Sequence, residues 1–256
     1  EEKMSKFGRL LTAMVTPFFE NGNVDYKTAR ILAKKIIKSG SDGLVIGGTT
    51  GEAPSMTDDE KIKLFQEIKD EIGDSGDLIA GTTDNNTNAS INLSKRAESA
   101  GVDGILLTVP AYNKPTMGGL ISHFQAITDN ISIPGILYNV PSRTGCDLKA
   151  ETVQRLAPIG NIIGIKEACG DYHRVAEILA GTTSDFLVLS GEDGQNLKML
   201  ELGAVGCISV TANILPKKMT EFCLAFSQGS MMDAKSFDEE MQPIHKILFC
   251  VISKTS

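Results

Sequence analysis

Short apolar runs rich in β-branched residues recur along the chain, with amphipathic stretches between them. Eight runs read as strands: Leu10 to Val15, Gly43 to Ile46, Leu78 to Gly81, Gly104 to Leu107, Gly135 to Tyr138, Ile162 to Ile165, Phe186 to Leu189 and Gly206 to Ser209. Such alternation implies parallel strands joined by helical crossovers. Between the runs, Tyr26 to Ser39 carries Ile31, Leu32, Ile36 and Ile37 at helical spacing. Asp58 to Ile72 does the same with Ile62, Phe65, Ile68 and Ile72. Asp25 and Thr57 are placed to cap these two helices, and Glu60 stands three residues after Thr57, where a capping box needs it. Asp84-Asn85-Asn86-Thr87-Asn88 reads as a loop leading into another capped helix.

Eight β/α units can wind into an open sheet or close on themselves. Regular repetition without a break in composition favours closure, an α/β fold of the (β/α)8 TIM-barrel type. The 256 residues suit one such barrel, expected over residues 1–226, with a helical region over 227–256. Apolar residues make up 41% and charged residues 22%, a balance that can bury a large core.

The formal charge of −7 and the lack of a clustered basic face argue against a nucleic-acid partner. Lys34, Lys35 and Lys38 read as a solvated helix face. The five cysteines are widely spaced without a Cys-x-x-Cys pair, so neither a disulfide framework nor a zinc site is expected. His123, His173 and His245 fall on expected helices at no metal-ligand spacing, and no metal is expected. No signal segment and no apolar run long enough to span a bilayer can be read, which makes the cytoplasm the expected compartment and excludes a membrane role.

In a closed barrel the chemistry sits at the C-terminal ends of the strands. There stand Gly47-Gly48-Thr49-Thr50-Gly51-Glu52, Pro110-Ala111-Tyr112-Asn113, Tyr138-Asn139-Val140-Pro141-Ser142-Arg143, Lys166-Glu167 and Ser190-Gly191-Glu192. Lys166 follows Ile162-Ile163-Gly164-Ile165, so its amine would emerge with a hydrophobic base, where desolvation favours the neutral, nucleophilic form. A neutral amine can attack a keto acid and form an imine, which serves as an electron sink for an enamine. A lone lysine at a strand end is more commonly an ordinary surface cation. Imine chemistry also needs a proton shuttle, and Tyr138, Tyr112 and the Thr49 hydroxyl could supply one. Tyr138 could equally be a rim residue, and Tyr112 a loop anchor with its hydroxyl in water. The glycine-rich loop around Thr49 and Thr50 could cradle a phosphate, but it lacks the P-loop lysine and suits a carboxylate as well. Arg143 could grip a carboxylate in a fork, or pair with a neighbouring acid.

The chain from Gly8 to about Phe249 resembles the dihydrodipicolinate synthase family, whose members are also called 4-hydroxy-tetrahydrodipicolinate synthases. The family lies within the pyruvate-dependent class I aldolase and N-acetylneuraminate lyase superfamily. The resemblance is carried by Gly47 to Glu52, Tyr138-Asn139-Val140-Pro141-Ser142-Arg143-Thr144-Gly145, Gly164-Ile165-Lys166-Glu167-Ala168 and Ile208-Ser209-Val210-Thr211-Ala212-Asn213. It implies condensation of pyruvate with L-aspartate 4-semialdehyde in the diaminopimelate route to lysine, with no cofactor beyond a covalent imine on Lys166. Tyr138 would donate and accept the proton in a relay with Thr49 and Tyr112, and Thr50 would hold the pyruvate carboxylate. Arg143 would bind the semialdehyde carboxylate, while Gly191 and Ile208 would line the pyruvate site through their backbone. Tyr112 would serve a neighbouring subunit, which implies a homo-oligomer, a dimer or a tetramer built as a dimer of dimers. Related lyases of the N-acetylneuraminate type share the lysine and tyrosine but typically carry Ser at the position of Thr49 and lack the Ser-Arg-Thr-Gly turn. A non-catalytic barrel would have lost part of the reactive set.

Two departures from the family stand out. Cys250-Val251-Ile252-Ser253-Lys254-Thr255-Ser256 does not match its further helices, so a shortened C-terminal helical region is expected. Members inhibited by lysine tend to carry Glu, His and Tyr where this chain has Ala89, Lys61 and Ala111. Lysine feedback is therefore expected to be weak or absent. Titration of activity with lysine checks this, and strong inhibition at physiological lysine would refute it.

Overall fold

The computed structural model of the chain describes residues 7–252, and side chains through Leu248. In chain order the elements are β1 (Leu10–Ala13), α1 (Tyr26–Lys38), β2 (Gly43–Ile46), α2 (Asp58–Ile72), β3 (Asp77–Gly81), α3 (Thr87–Ser99), β4 (Gly104–Thr108) and α4 (Met117–Thr128). They continue with β5 (Gly135–Asn139), α5 (Pro141–Thr144), α6 (Ala150–Leu156), β6 (Ile162–Glu167), α7 (Tyr172–Gly181), β7 (Leu187–Ser190), α8 (Asn196–Leu202), β8 (Gly206–Ser209), α9 (Pro216–Ser227) and α10 (Met231–Ile252). Among the described residues the strands pair in sequence order, all parallel, and β8 pairs with β1 to close a (β/α)8 barrel.

The expected strands are all present, β2 and β8 with the expected bounds and the others with bounds moved by a residue or two. β1 stops at Ala13 rather than Val15, and β6 runs past Ile165 to Glu167. The latter shift matters, because it makes Lys166 a member of the barrel ladder instead of the first residue of a loop. The caps form as the sequence implies. Asp25 accepts from the Thr28 amide at the start of α1, and Thr57 with Glu60 makes a reciprocal capping box on α2. Asn86 caps α3, so the asparagine-rich run ends in helix at Thr87.

Side chains alternate across each strand with a period of two, which sorts the apolar residues into two cores. Leu11, Val45, Ile79, Leu106, Ile136, Tyr138, Leu189 and Ile208 pack together within the barrel. Their strand neighbours Leu44, Ile46, Leu78, Ile105, Leu107, Leu137, Ile165, Val188 and Cys207 pack outward against the helices. Closure brings backbones close at the β8/β1 seam, where a Cβ on Gly206 would meet the Arg9 carbonyl.

The helical region after the barrel turns back to its C-terminal end. His245 of α10 and Thr211 share a 2.7 Å hydrogen bond, and Gln242 donates to the Gly194 carbonyl at 3.3 Å. α10 extends through Ile252, and residues 253–256 of the expected unmatched tail lie outside the described residues. No helix among the described residues is long and apolar enough to cross a membrane.

Phe65 on α2 is fully buried among Leu44, Ile68 and their neighbours, and its ring also lies against Gly47 in the loop after β2. Its removal would leave a cavity that a closed barrel has little freedom to fill. Phe65→Ala should cost about 3–5 kcal/mol of stability, read as a lowered urea midpoint.

Candidate active site

β5 and β6 pair so that Tyr138 lies opposite Lys166 and Asn139 opposite Glu167. Because Leu137 and Ile165 pack outward, Tyr138 and Lys166 turn toward the barrel axis at its C-terminal end. Lys166 is 4% exposed and Tyr138 5%, and the lysine Nζ lies 4.2 Å from the centroid of the tyrosine ring. An ordinary surface lysine would extend into water. Among the described residues the Lys166 amine has no salt-bridge or hydrogen-bond partner; it rests over the electron-rich face of an aromatic ring.

Gly191 completes the wall. Its amide donates to the Glu167 carbonyl at 2.8 Å, and a Cβ there would lie 2.9 Å from Ala168 Cβ and 3.0 Å from Lys166 Cγ and Cε. Glycine is required because the lysine methylenes occupy the space a side chain would take. Ile208, 1% exposed, belongs to the same interior cluster as Tyr138 and Leu189.

The other expected site residues surround this pair less tightly. Thr49 is exposed and Thr50 half-buried in the loop after β2, which enters a 3-10 turn at Ala53–Ser55 before α2 begins. That loop is braced from below, since the Thr16 hydroxyl donates to the Gly51 carbonyl at 2.6 Å. Tyr112 is 88% exposed with a φ of 68°, a left-handed conformation uncommon for a residue with a side chain. Its amide bonds the Thr144 carbonyl at 3.0 Å, which ties its loop to α5. Among the described residues no hydrogen bond joins the hydroxyls of Thr49, Tyr112 and Tyr138. Arg143 on α5 is exposed and makes no salt bridge among the described residues, leaving its guanidinium free for another anion.

Three polar residues at the site carried no expected role. Burial, and then the neighbouring Asp193, push the Glu192 carboxyl up, while Lys166 and, more weakly, Arg143 draw it back down. Glu192 thus senses both cations. Asn139 and Glu167 are buried at 0% and 2% exposure behind Tyr138 and Lys166. Their signal in the sequence was only adjacency to the tyrosine and the lysine. The histidines lie elsewhere: His123 is buried against Thr87, His245 is buried against Thr211, and His173 is exposed beside Glu177. No group of three or more His, Cys, Asp or Glu among the described residues could hold a metal ion.

A buried lysine thus packs against a tyrosine at the mouth of a closed barrel. The Dihydrodipicolinate synthetase family matches residues 6–254. The chain belongs to this family. The match runs past Phe249, where the sequence resemblance was expected to stop. The 4-hydroxy-tetrahydrodipicolinate synthase of Moorella thermoacetica is 48% identical over 244 residues, covering 95% of this chain and 84% of that protein. The crystal structure of a dihydrodipicolinate synthase from Bacillus anthracis superposes with a TM-score of 0.93 at 40% identity, covering 96% of this chain and 84% of that one. The chloride-inhibited dihydrodipicolinate synthase of Acinetobacter baumannii complexed with pyruvate gives the same TM-score, identity and coverage, 0.93, 40%, 96% and 84%. Membership in the family accounts for the barrel and for the order of its motifs.

Beside this site lies Cys169, part-exposed, whose thiol is pushed up to about 12 by burial and then by the Glu167 charge. At pH 8 its thiolate fraction should be roughly one in ten thousand, and only the thiolate is nucleophilic. Iodoacetamide at pH 8 should therefore leave Cys169 unmodified in the native protein and label it after unfolding. Peptide mapping checks this, and rapid native labelling at Cys169 would contradict it.

Proposed function

We propose that the chain condenses pyruvate with L-aspartate 4-semialdehyde as a 4-hydroxy-tetrahydrodipicolinate synthase, through an imine on Lys166. The observation that carries this reading is the burial of the Lys166 amine against Tyr138 with no ion pair among the described residues. A lysine that served only structure would be expected to pair with an acid when so deeply buried. One that must attack a carbonyl needs an unblocked amine within reach of a proton donor.

The chemistry follows from these groups. The neutral amine adds to the keto carbon of pyruvate, and loss of one water, assisted by the Tyr138 phenol, gives the imine. The Tyr138 phenolate left by that step takes a proton from the methyl carbon to give an enamine, which attacks the aldehyde carbon of the second substrate while the phenol returns a proton to the aldehyde oxygen. The amino group of that substrate then displaces Lys166 from the imine carbon, closing the ring and freeing the lysine. One water leaves per turnover. Thr50 and the loop amides suit the pyruvate carboxylate, and the uncommitted Arg143 guanidinium suits the carboxylate of the semialdehyde. Gly191 and Ile208 would line the pyruvate site through their backbone. Tyr112 and Thr49 would complete the proton relay, and the exposure of Tyr112 supports its use by a second copy of the chain in a homo-oligomer. No separate cofactor enters this scheme, and the compartment that suits it is the cytoplasm.

Borohydride reduction in the presence of pyruvate should trap a covalent adduct, and peptide mapping should place it on Lys166. Lys166→Met should abolish trapping, and Tyr138→Phe should slow it by about 10²–10⁴-fold, the usual worth of a positioned general acid. An adduct on another residue would overturn the mechanism. Trapping without turnover of the semialdehyde would move the assignment to another pyruvate-dependent lyase.

A further inference from the structure

Behind the reactive pair, on the opposite face of the same two strands, lies a buried polar unit that the chemistry above does not use. Glu167 Oε1 accepts from the Asn139 amide nitrogen at 3.0 Å and from the Cys169 backbone amide at 2.9 Å, and Oε2 accepts from Asn139 at 3.2 Å. The same Asn139 nitrogen donates to Asp147 Oδ1 at 3.0 Å, and its Oδ1 accepts from the Leu148 amide at 3.0 Å. Arg174 grips Asp147 with two bonds of 2.9 Å and donates to the Leu148 carbonyl at 3.1 Å. Every polar group of the Asn139 side chain is satisfied. The unit joins the ends of β5 and β6, the segment after α5 and the first turn of α7.

This is an expensive way to fill space. Two residues earlier on the same outward face, Ile165 is fully buried in apolar packing. Burial pushes the Glu167 carboxyl up, and its bonds with Cys169 and Asn139, together with the Arg174 charge, oppose that rise. A hydrophobe at 167 would avoid the desolvation cost. What a satisfied polar network adds is direction, because hydrogen bonds fix orientation and apolar contact does not. The direction is imposed where it bears on the reacting groups. Asn139 and Glu167 are the residues that follow Tyr138 and Lys166, and they face each other one step further along the register. Their backbones continue the bracing, with the Ala168 amide donating to the Asn139 carbonyl at 3.0 Å and the Gly191 amide to the Glu167 carbonyl at 2.8 Å.

We infer that Glu167 and Asn139 are positioning residues for the imine-forming reaction, locking the ends of β5 and β6 so that the Lys166 amine and Tyr138 meet in one geometry. The inference rests on the reading of Lys166 as the Schiff-base lysine. Neither residue touches substrate; both act through their chain neighbours. Misplacing a reacting group by about 1 Å can cost on the order of 100-fold in rate, so slackening these strand ends should be felt in the chemical step more than in binding.

The test compares wild type with Glu167→Gln, Glu167→Ala, Asn139→Ala and the double variant Glu167→Ala/Asn139→Ala. The rate of imine trapping by borohydride at saturating pyruvate is measured alongside KM for pyruvate and thermal midpoint. Glu167→Ala and Asn139→Ala should each slow trapping about 10- to 100-fold with KM changed less than about threefold. Glu167→Gln, which keeps an acceptor for the Cys169 amide, should recover part of that loss. Because the two residues act as one unit, the double variant should be little slower than either single variant. Trapping rates within about twofold of wild type in the folded variants, or losses that multiply in the double variant, would overturn the inference. If Glu167→Ala does not fold, Asn139→Ala alone decides, and trapping within about twofold of wild type in that variant overturns the inference. The two failures are distinguishable: label outside Lys166 in wild type defeats the Schiff-base reading, whereas label on Lys166 with undisturbed variants defeats only the positioning role.

Discussion

The parallel pairing of β5 with β6, in the register that sets Tyr138 beside Lys166, is the constraint on which the site depends. Strand alternation decides which side chains enter the barrel, so a slip of one residue would turn the lysine out among the helices and bring Glu167 inward. The register is therefore chemical as well as structural. It is held by outward-facing Leu137 and Ile165 in the helix-packed core, by the shared interior cluster that includes Tyr138, and by the Asn139 to Glu167 contact at the strand ends. Gly191 adds a steric condition, since only the absence of a side chain leaves room for the lysine stem.

The charges at this mouth oppose the charge of the whole. The chain carries a formal charge of −7, yet its reactive end presents Lys166 and Arg143. A net negative field does not draw carboxylate substrates from afar, so recognition must come from local cations and amides within a screening length of about 8–10 Å. Glu192 tempers that arrangement. Both cations draw its carboxyl down against the rise that burial imposes.

Much of the barrel could be read from the residues because each strand is a short apolar run with a glycine or a turn beside it. Gly43 to Ile46 and Gly206 to Ser209 have the expected bounds. β6 extends two residues beyond its apolar run for a physical reason. Lys166 and Glu167 look like the polar start of a loop, but one charge is buried within the barrel mouth and the other beneath the helices, and the ladder continues through both. Lys166 and Tyr138 were legible as candidates, and the structure brings them together. The side chains of Thr49, Tyr112 and Arg143 remain outward of that pair, on loops and a single helical turn whose arrangement no local periodicity encodes. Glu167 and Asn139 were hardest to read, because their meaning lies in a hydrogen-bonded circuit that includes Asp147 and Arg174, up to 35 residues apart in sequence.

That circuit also explains why a polar unit persists in a place where apolar packing would be cheaper. A core of Leu, Ile and Val holds strands together but tolerates small rotations and shifts, since many side-chain contacts of similar energy can be exchanged. On the proposed imine chemistry the reacting groups cannot tolerate the same freedom, because the amine and the proton donor must meet in one arrangement. Asn139 has two donors and one acceptor oxygen, and together they tie β5 to Glu167 on β6 and to Asp147 and Leu148 in the segment after α5. Rotating either strand end would break at least one of these bonds inside a dry region, where an unsatisfied polar group costs about 1–3 kcal/mol. The apolar core thus makes the barrel stable, and the polar circuit behind it narrows the barrel mouth to the conformation its chemistry requires.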